Sequence, residues 1–220
     1  MNDSTAAALV TFGYEVGQLK KLPRSGWLTA GIAKPESVAE HSFRVAILAY
    51  LIADAEGGNA EHAAVLGLFH DLPEARVGDV PAVGKAYVTT VPATEVVADQ
   101  TAALPTGLAE RIRAAVAEHE GAKGPNPSTE ARASRDADKL DLLLQAREYQ
   151  EATGNTAMTA FIDSMLPLFG TATGRALAAA AQVTPPAAWW SEFARRFGTT
   201  AAQVRPTTQA RSQSVNTLNC

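Results

Sequence analysis

The sequence predicts an all-α fold, and three observations carry that expectation. Alanine is the commonest residue of the 220 and has the highest intrinsic helix propensity. Apolar residues recur at steps of three and four, and no Asn-Gly turn joins alternating segments as a hairpin requires. Glycine and proline gather in short connectors between the periodic segments. A chain of this length most simply forms one domain, over residues 1–198, with a tail over 199–220.

The elements follow in order. A first helix is expected from Ser4 to Lys21, then a connector marked by Pro23, Gly26 and Gly31. Ser37 and Glu40 have the spacing of a capping box. From there Val38, His41, Val45, Leu48 and Ile52 share one helical face, up to Gly57-Gly58. Asn59 is a natural N-cap for a third helix with Ala63, Leu66 and His70 inward, closed by Leu72-Pro73. Glu74 to Gly84 reads as loop or short turns. Helices are expected over Glu95–Ala103 and Leu108–His119, followed by a Gly/Pro loop from Gly121 to Pro127. A long helix from Ser128 to Ala152 ends before Gly154, with Asp138, Leu142, Gln145 and Tyr149 along one side. Shorter helices follow over Ala157–Phe169 and Thr173–Gln182. Thr184-Pro185 forms an N-cap and first-turn pair for a last helix through Phe197. Residues 199–220 are polar and aperiodic, and are expected to be disordered.

Composition excludes several classes. Lys+Arg is 19 and Asp+Glu is 23, a net charge of −4, which argues against binding a nucleic-acid polymer. Hydrophobic residues make up 46% and charged residues 19%, too apolar for a disordered chain. The one cysteine, Cys220, rules out a disulfide framework and a cysteine zinc site. No apolar run is long enough to span a membrane, and Met1 to Val10 lacks a basic signal-peptide start. The expected compartment is the cytoplasm.

The chain has four histidines, so any imidazole chemistry uses His41, His62, His70 or His119. His41 and His70 both project from inner helix faces. Asp71 adjoins His70 at a helix end, and Asp138 lies mid-helix beside Leu142. Each alone has a plain alternative: a hydrogen-bonded core histidine, or an aspartate paired with Arg135 or Lys139 on a solvated face. Together they offer two nitrogens and two oxygens to one point, a set that suits a divalent transition metal with water completing the shell.

The order His, His-Asp, Asp resembles the HD superfamily of metal-dependent phosphohydrolases. Five blocks in sequence resemble its 5′-deoxynucleotidase branch: Gln18 to Trp27, Pro35 to His41, His70 to Glu74, Gly78 to Pro81, and Asp136 to Asp141. The resemblance runs from about Tyr14 to Tyr149 and fades beyond about residue 155, so it does not explain Trp189-Trp190. It implies an HD-domain helical bundle with one divalent metal (Mn²⁺, Co²⁺, Fe²⁺ or Mg²⁺) held by His41, His70, Asp71 and Asp138. It implies Asp71 and Glu74 as catalytic residues, with Glu74 handling the water proton or the leaving 5′-oxygen. It implies Asp79 at the sugar 3′-hydroxyl, Trp27 against the sugar and Arg24 as the phosphate clamp. Plain alternatives are an exposed loop glutamate for Glu74, a turn former for Asp79 and a core anchor for Trp27. In bacterial members the arginine directly precedes the tryptophan; here Gly26 stands in that place and Arg24 lies earlier, the spacing of the eukaryotic-type members. A homodimer is also implied.

The expected activity is hydrolysis of (2′-deoxy)nucleoside 5′-monophosphates to nucleoside and phosphate. Ala75 stands where guanosine tetraphosphate hydrolases of the superfamily carry Asp, and no Lys/Arg cluster adjoins the motif to bind a triphosphate. The alternatives are a monophosphatase for a modified nucleotide in a specialised-metabolite pathway, a non-catalytic nucleotide-binding regulatory module, and a helical scaffold whose polar core groups are merely satisfied.

Overall fold

The computed structural model describes residues 2–198. The expected tail, 199–220, lies outside the described residues. Twelve α-helices follow one another among the described residues: α1 Asp3–Val16, α2 Ser25–Thr29, α3 Val38–Ala55, α4 Ala60–Phe69, α5 Glu74–Val77, α6 Ala82–Lys85, α7 Ala93–Gln100, α8 Thr106–Gly121, α9 Thr129–Thr153, α10 Ala157–Met165, α11 Ala172–Val183 and α12 Ala188–Phe197. The only extended pairing among them is one bridge, Pro23 to Ser37. The chain divides into two compact units between Val183 and Thr184.

Local chemistry sets the boundaries. The Ser37/Glu40 capping box is formed, and the Asn59 and Ser128 side chains cap α4 and α9. Gly154, at φ 68°, closes α9 in the left-handed conformation that glycine adopts without strain. Four expectations are corrected. The first helix tightens at Gly17 into a 3₁₀ turn over Gly17–Lys20. The connector holds α2, and the loop after Glu74 holds α5 and α6, pieces too short for periodicity to reveal. The helix expected to reach Phe169 ends at Met165, because Pro167 cannot donate to it, and Leu166–Leu168 form a 3₁₀ turn. The last helix starts at Ala188, not at Pro185. Pro186 disfavours a helical Pro185, so the first turn forms only beyond the pair.

The first unit is built around α3, α4 and α9, which pack on one another. Their shared core includes Val45, Ala49, Ile52, Ala63, Ala137, Leu140 and Leu143. Small residues let the backbones close: a Cβ on Gly67 of α4 would meet the Ala46 Cα of α3 at 3.1 Å. A second cluster joins Leu72 to Val97, Ile112 and Val116 of α7 and α8. A third buries Trp27 and Ile32 against Ala146, Met158 and Ile162. The bridge before α3 brings Arg24 beside the start of that helix, with the Arg24 N–H donating to the Glu36 carbonyl at 2.9 Å. In the second unit, Trp190 of α12 packs against Trp189 and Phe193, and Phe193 against Phe197.

Candidate active site

His41 lies in the first turn of α3 and is fully buried. Its Nδ1–H donates to Asp141 Oδ2 at 2.6 Å. His70 follows the last residue of α4 and donates Nδ1–H to the Gly67 carbonyl at 2.7 Å. A carbonyl can only accept, and so can an ionised carboxylate, so both rings hold the proton on Nδ1 in their neutral form. Both Nε2 lone pairs are then left bare. Each Nε2 is buried and makes no hydrogen bond.

The two nitrogens share a centre with two carboxylates. His41 Nε2 lies 3.6 Å from Asp71 and 3.3 Å from Asp138; His70 Nε2 lies 3.1 Å from Asp71 and 4.0 Å from Asp138. One ligand atom each of His41, His70 and Asp71 fall within 4.8 Å of one another. Three helices bring together all four positions expected from the sequence. Two buried acceptors without donors, facing two acceptors, form a set that a cation completes. The electrostatics agree. Burial and the Arg24 charge oppose protonation of His41, yet the Asp138 and Asp141 carboxylates outweigh them and push it up to about 10, so that a proton on Nε2 takes the place a cation would fill when none is bound. Burial would raise Asp71 and Asp138, but the histidines and Arg24 hold both well below the usual carboxylate range. The point is short of positive charge, and the residues fit a divalent metal.

Arg24 reaches the same centre. Its Nη1 donates to Asp71 Oδ2 at 3.1 Å and lies 4.0 Å from Glu74 and 3.8 Å from Asp79. Those carboxylates keep the guanidinium charged despite its burial. Glu74 starts α5, and its Oε2 is buried without a partner. Burial, Asp71 and Asp79 push the Glu74 carboxyl up to about 9. Asp79 accepts the Ser25 N–H at Oδ2, 2.7 Å away, and so fixes the start of α2. Trp27 is 1% exposed, packs on Tyr149 and Phe161, and donates Nε1–H to Glu36 at 3.0 Å. Arg24, Trp27, Glu74, Asp79 and Asp138 all line one cavity of about 530 Å³.

The family follows from this arrangement and one comparison: the model described as HD domain matches residues 16–176. The chain belongs to the HD-domain family. This HD domain is similar to the 5′-deoxynucleotidase HDDC2 of Danio rerio, 38% identical over 142 residues, with 63% of this chain and 68% of the relative covered. It is similar to the 5′-deoxynucleotidase hdd1 of Schizosaccharomyces pombe, 33% identical over 156 residues, with 68% and 76% covered. A solved structure described as a predicted metal-dependent phosphohydrolase from Magnetospirillum magnetotacticum superposes with a TM-score of 0.59 at 27% identity, covering 81% of this chain and 96% of that one.

The HD domain also uses residues to which the sequence reading assigned no role. Asp141 is fully buried one turn beyond Asp138 and is shared between His41 and the Arg44 Nε–H. Arg44 is braced in turn by Glu148 and Gln145. Their spacing on α3 and α9 was visible, since Asp138, Asp141, Gln145 and Glu148 recur at steps of three and four. Which of them faces His41 was not visible. Among the described residues, no helix is long and apolar enough to cross a membrane.

Proposed function

We propose that this HD domain is a metal-dependent phosphomonoester hydrolase acting on (2′-deoxy)nucleoside 5′-monophosphates. The observation that carries this reading is the pair of bare, buried Nε2 atoms facing Asp71 and Asp138 within a cavity that also holds Glu74 and Arg24. The names of the relatives supply the substrate class. His41, His70, Asp71 and Asp138 are the proposed ligands of one divalent metal, which would supply Lewis acidity to a phosphoryl oxygen and to water. Burial and the Asp71 and Asp79 carboxylates favour the protonated form of Glu74, which lines the cavity where it can hand a proton to the leaving 5′-oxygen. Arg24 spends one N–H on Asp71 and has further donors for phosphate oxygens. Asp79 Oδ1 is the proposed acceptor for the sugar 3′-hydroxyl, and Trp27 the wall against the sugar. A cytoplasmic homodimer belongs to the same reading. Cys220 as the sole cysteine supports the compartment, and the exposed Phe43, Ile47, Tyr50 and Leu51 along α3 support the dimer.

The test is phosphate release by protein stripped of metal and reloaded with Mn²⁺ or Co²⁺. The panel is deoxyribo- and ribonucleoside 5′-monophosphates, 3′-monophosphates and a triphosphate. Turnover of the 5′-monophosphates, lost in His70→Ala, is the expected result. Metal bound tightly with no turnover across the panel would refute the activity, and no metal bound would refute the ligand set.

A further inference from the structure

Among the described residues, two unpaired cations on the cavity wall, Lys85 and Arg135, are left over by the site described so far, and Arg135 is the one joined to that wall by a hydrogen bond. Arg135 lies one turn before Asp138 on α9, and Arg135, Asp138 and Leu142 line the same cavity at steps of three and four. Among the described residues Arg135 forms no ion pair, whereas Arg24, Arg44 and Arg76 each do. Its one hydrogen bond runs from Nη1 to His119 Nε2, at 3.2 Å.

That contact fixes the state of the histidine. Arginine has only donors, so His119 Nε2 must accept. His119 Nδ1–H therefore donates to Ser134 Oγ, at 2.7 Å. The ring is 1% exposed and leans on His70, with ring centroids 5.0 Å apart. A neutral, buried imidazole thus seats a guanidinium beside the proposed metal centre without cancelling its charge. The contrast with the neighbouring cations is chemical. Arg24 stands among three carboxylates, and Lys123 on the same wall is paired with Glu120 at 2.6 Å. Lys85, the other cation on this wall without an ion pair, is exposed on α6, whereas Arg135 is half-buried and held by His119; its planar fork suits two oxygens of a tetrahedral anion.

We infer that Arg135, seated on His119, is an oxyanion subsite that takes the phosphate group of the substrate, beside the centre of His41, His70, Asp71 and Asp138. This rests on the phosphomonoesterase reading for the identity of the anion, and it adds a phosphate ligand to the site. Arg135 would contact substrate directly; His119 is the residue that positions it.

The probe is inorganic phosphate, titrated calorimetrically into the metal-loaded full-length protein. The parent is expected to bind it. Arg135→Gln is expected to bind it roughly 10- to 100-fold more weakly, the usual worth of hydrogen bonds to a charged group, with metal content unchanged. Arg135→Met repeats the test on an apolar stem if the glutamine variant does not fold. Equal phosphate affinity in parent and variants overturns the subsite, as does a parent that binds none. Loss of metal in step with loss of phosphate also overturns it, because Arg135 would then act only through His119 and His70. Turnover is read separately: phosphate bound at Arg135 with no monophosphate hydrolysed refutes the activity and leaves the subsite standing.

Discussion

Replacing Asp141 by asparagine is expected to weaken metal binding by reversing a histidine tautomer. Asp141 Oδ1 accepts from Arg44 Nε, and Oδ2 accepts from His41 Nδ1. Arginine has only donors, so the single carbonyl oxygen of the substituted side chain must stay with Arg44. The amide NH₂ then faces His41 Nδ1, which has to become an acceptor. The ring proton moves to Nε2, where it blocks the lone pair needed for ligation. Loss of such an orienting partner typically costs about 10- to 100-fold in metal affinity. That corresponds to about 1.4 to 2.7 kcal/mol. Arg44 keeps Glu148 and Gln145, so its own position should persist. The assay is calorimetric titration of stripped protein with Mn²⁺ or Co²⁺, paired with ¹⁵N NMR of the imidazoles. Unchanged affinity with His41 still protonated at Nδ1 would refute the argument.

Three further outcomes are expected. Glu74→Gln should retain metal and phosphate binding but lose about 10²- to 10⁴-fold in turnover, the usual contribution of a positioned proton donor; steady-state rates and metal analysis read this together, and retained turnover would remove Glu74 from the chemistry. Gly174→Ala should lower the melting temperature, because the new Cβ would run into Asp136 Oδ2, the carboxylate oxygen that accepts the Thr171 N–H before α11; overpacking of this kind costs about 1–3 kcal/mol. The third concerns pH. Burial and the neighbouring His70 push His119 down from 6.5 to about 3. The folded state thus binds fewer protons there, so its contribution to stability is present above 6.5 and drains away as pH falls toward 3. Urea midpoints at a series of pH values should fall over that window, and His119→Gln should flatten the slope.

The sequence alone determined the long elements, because periodicity and capping are local. Ser37 with Glu40, Asn59, Ser128 and Gly154 mark helix ends through hydrogen bonds and torsions within a few residues. The convergence of His41, His70, Asp71 and Asp138, the proposed metal ligands, was legible for a related reason. An inward aspartate on a helix is costly without a partner, and the residues that could partner it were few. The short helices α2, α5 and α6 were not legible, since one turn carries no period. Tertiary packing also decided how the charges are shared. Pro23, Asp79 and α5 bring Arg24 among three carboxylates, and α8 against α9 sets His119 under Arg135. Trp27 shows the limit most directly: the same residue reads as a core anchor or as a sugar wall from sequence, and in the fold it packs in the core while bordering the cavity. Whether a charge is neutralised, buried or left for a ligand depends on groups 100 or more positions away, as between His41 and Asp141 or Arg44 and Glu148, and only the packed chain brings them within hydrogen-bonding distance.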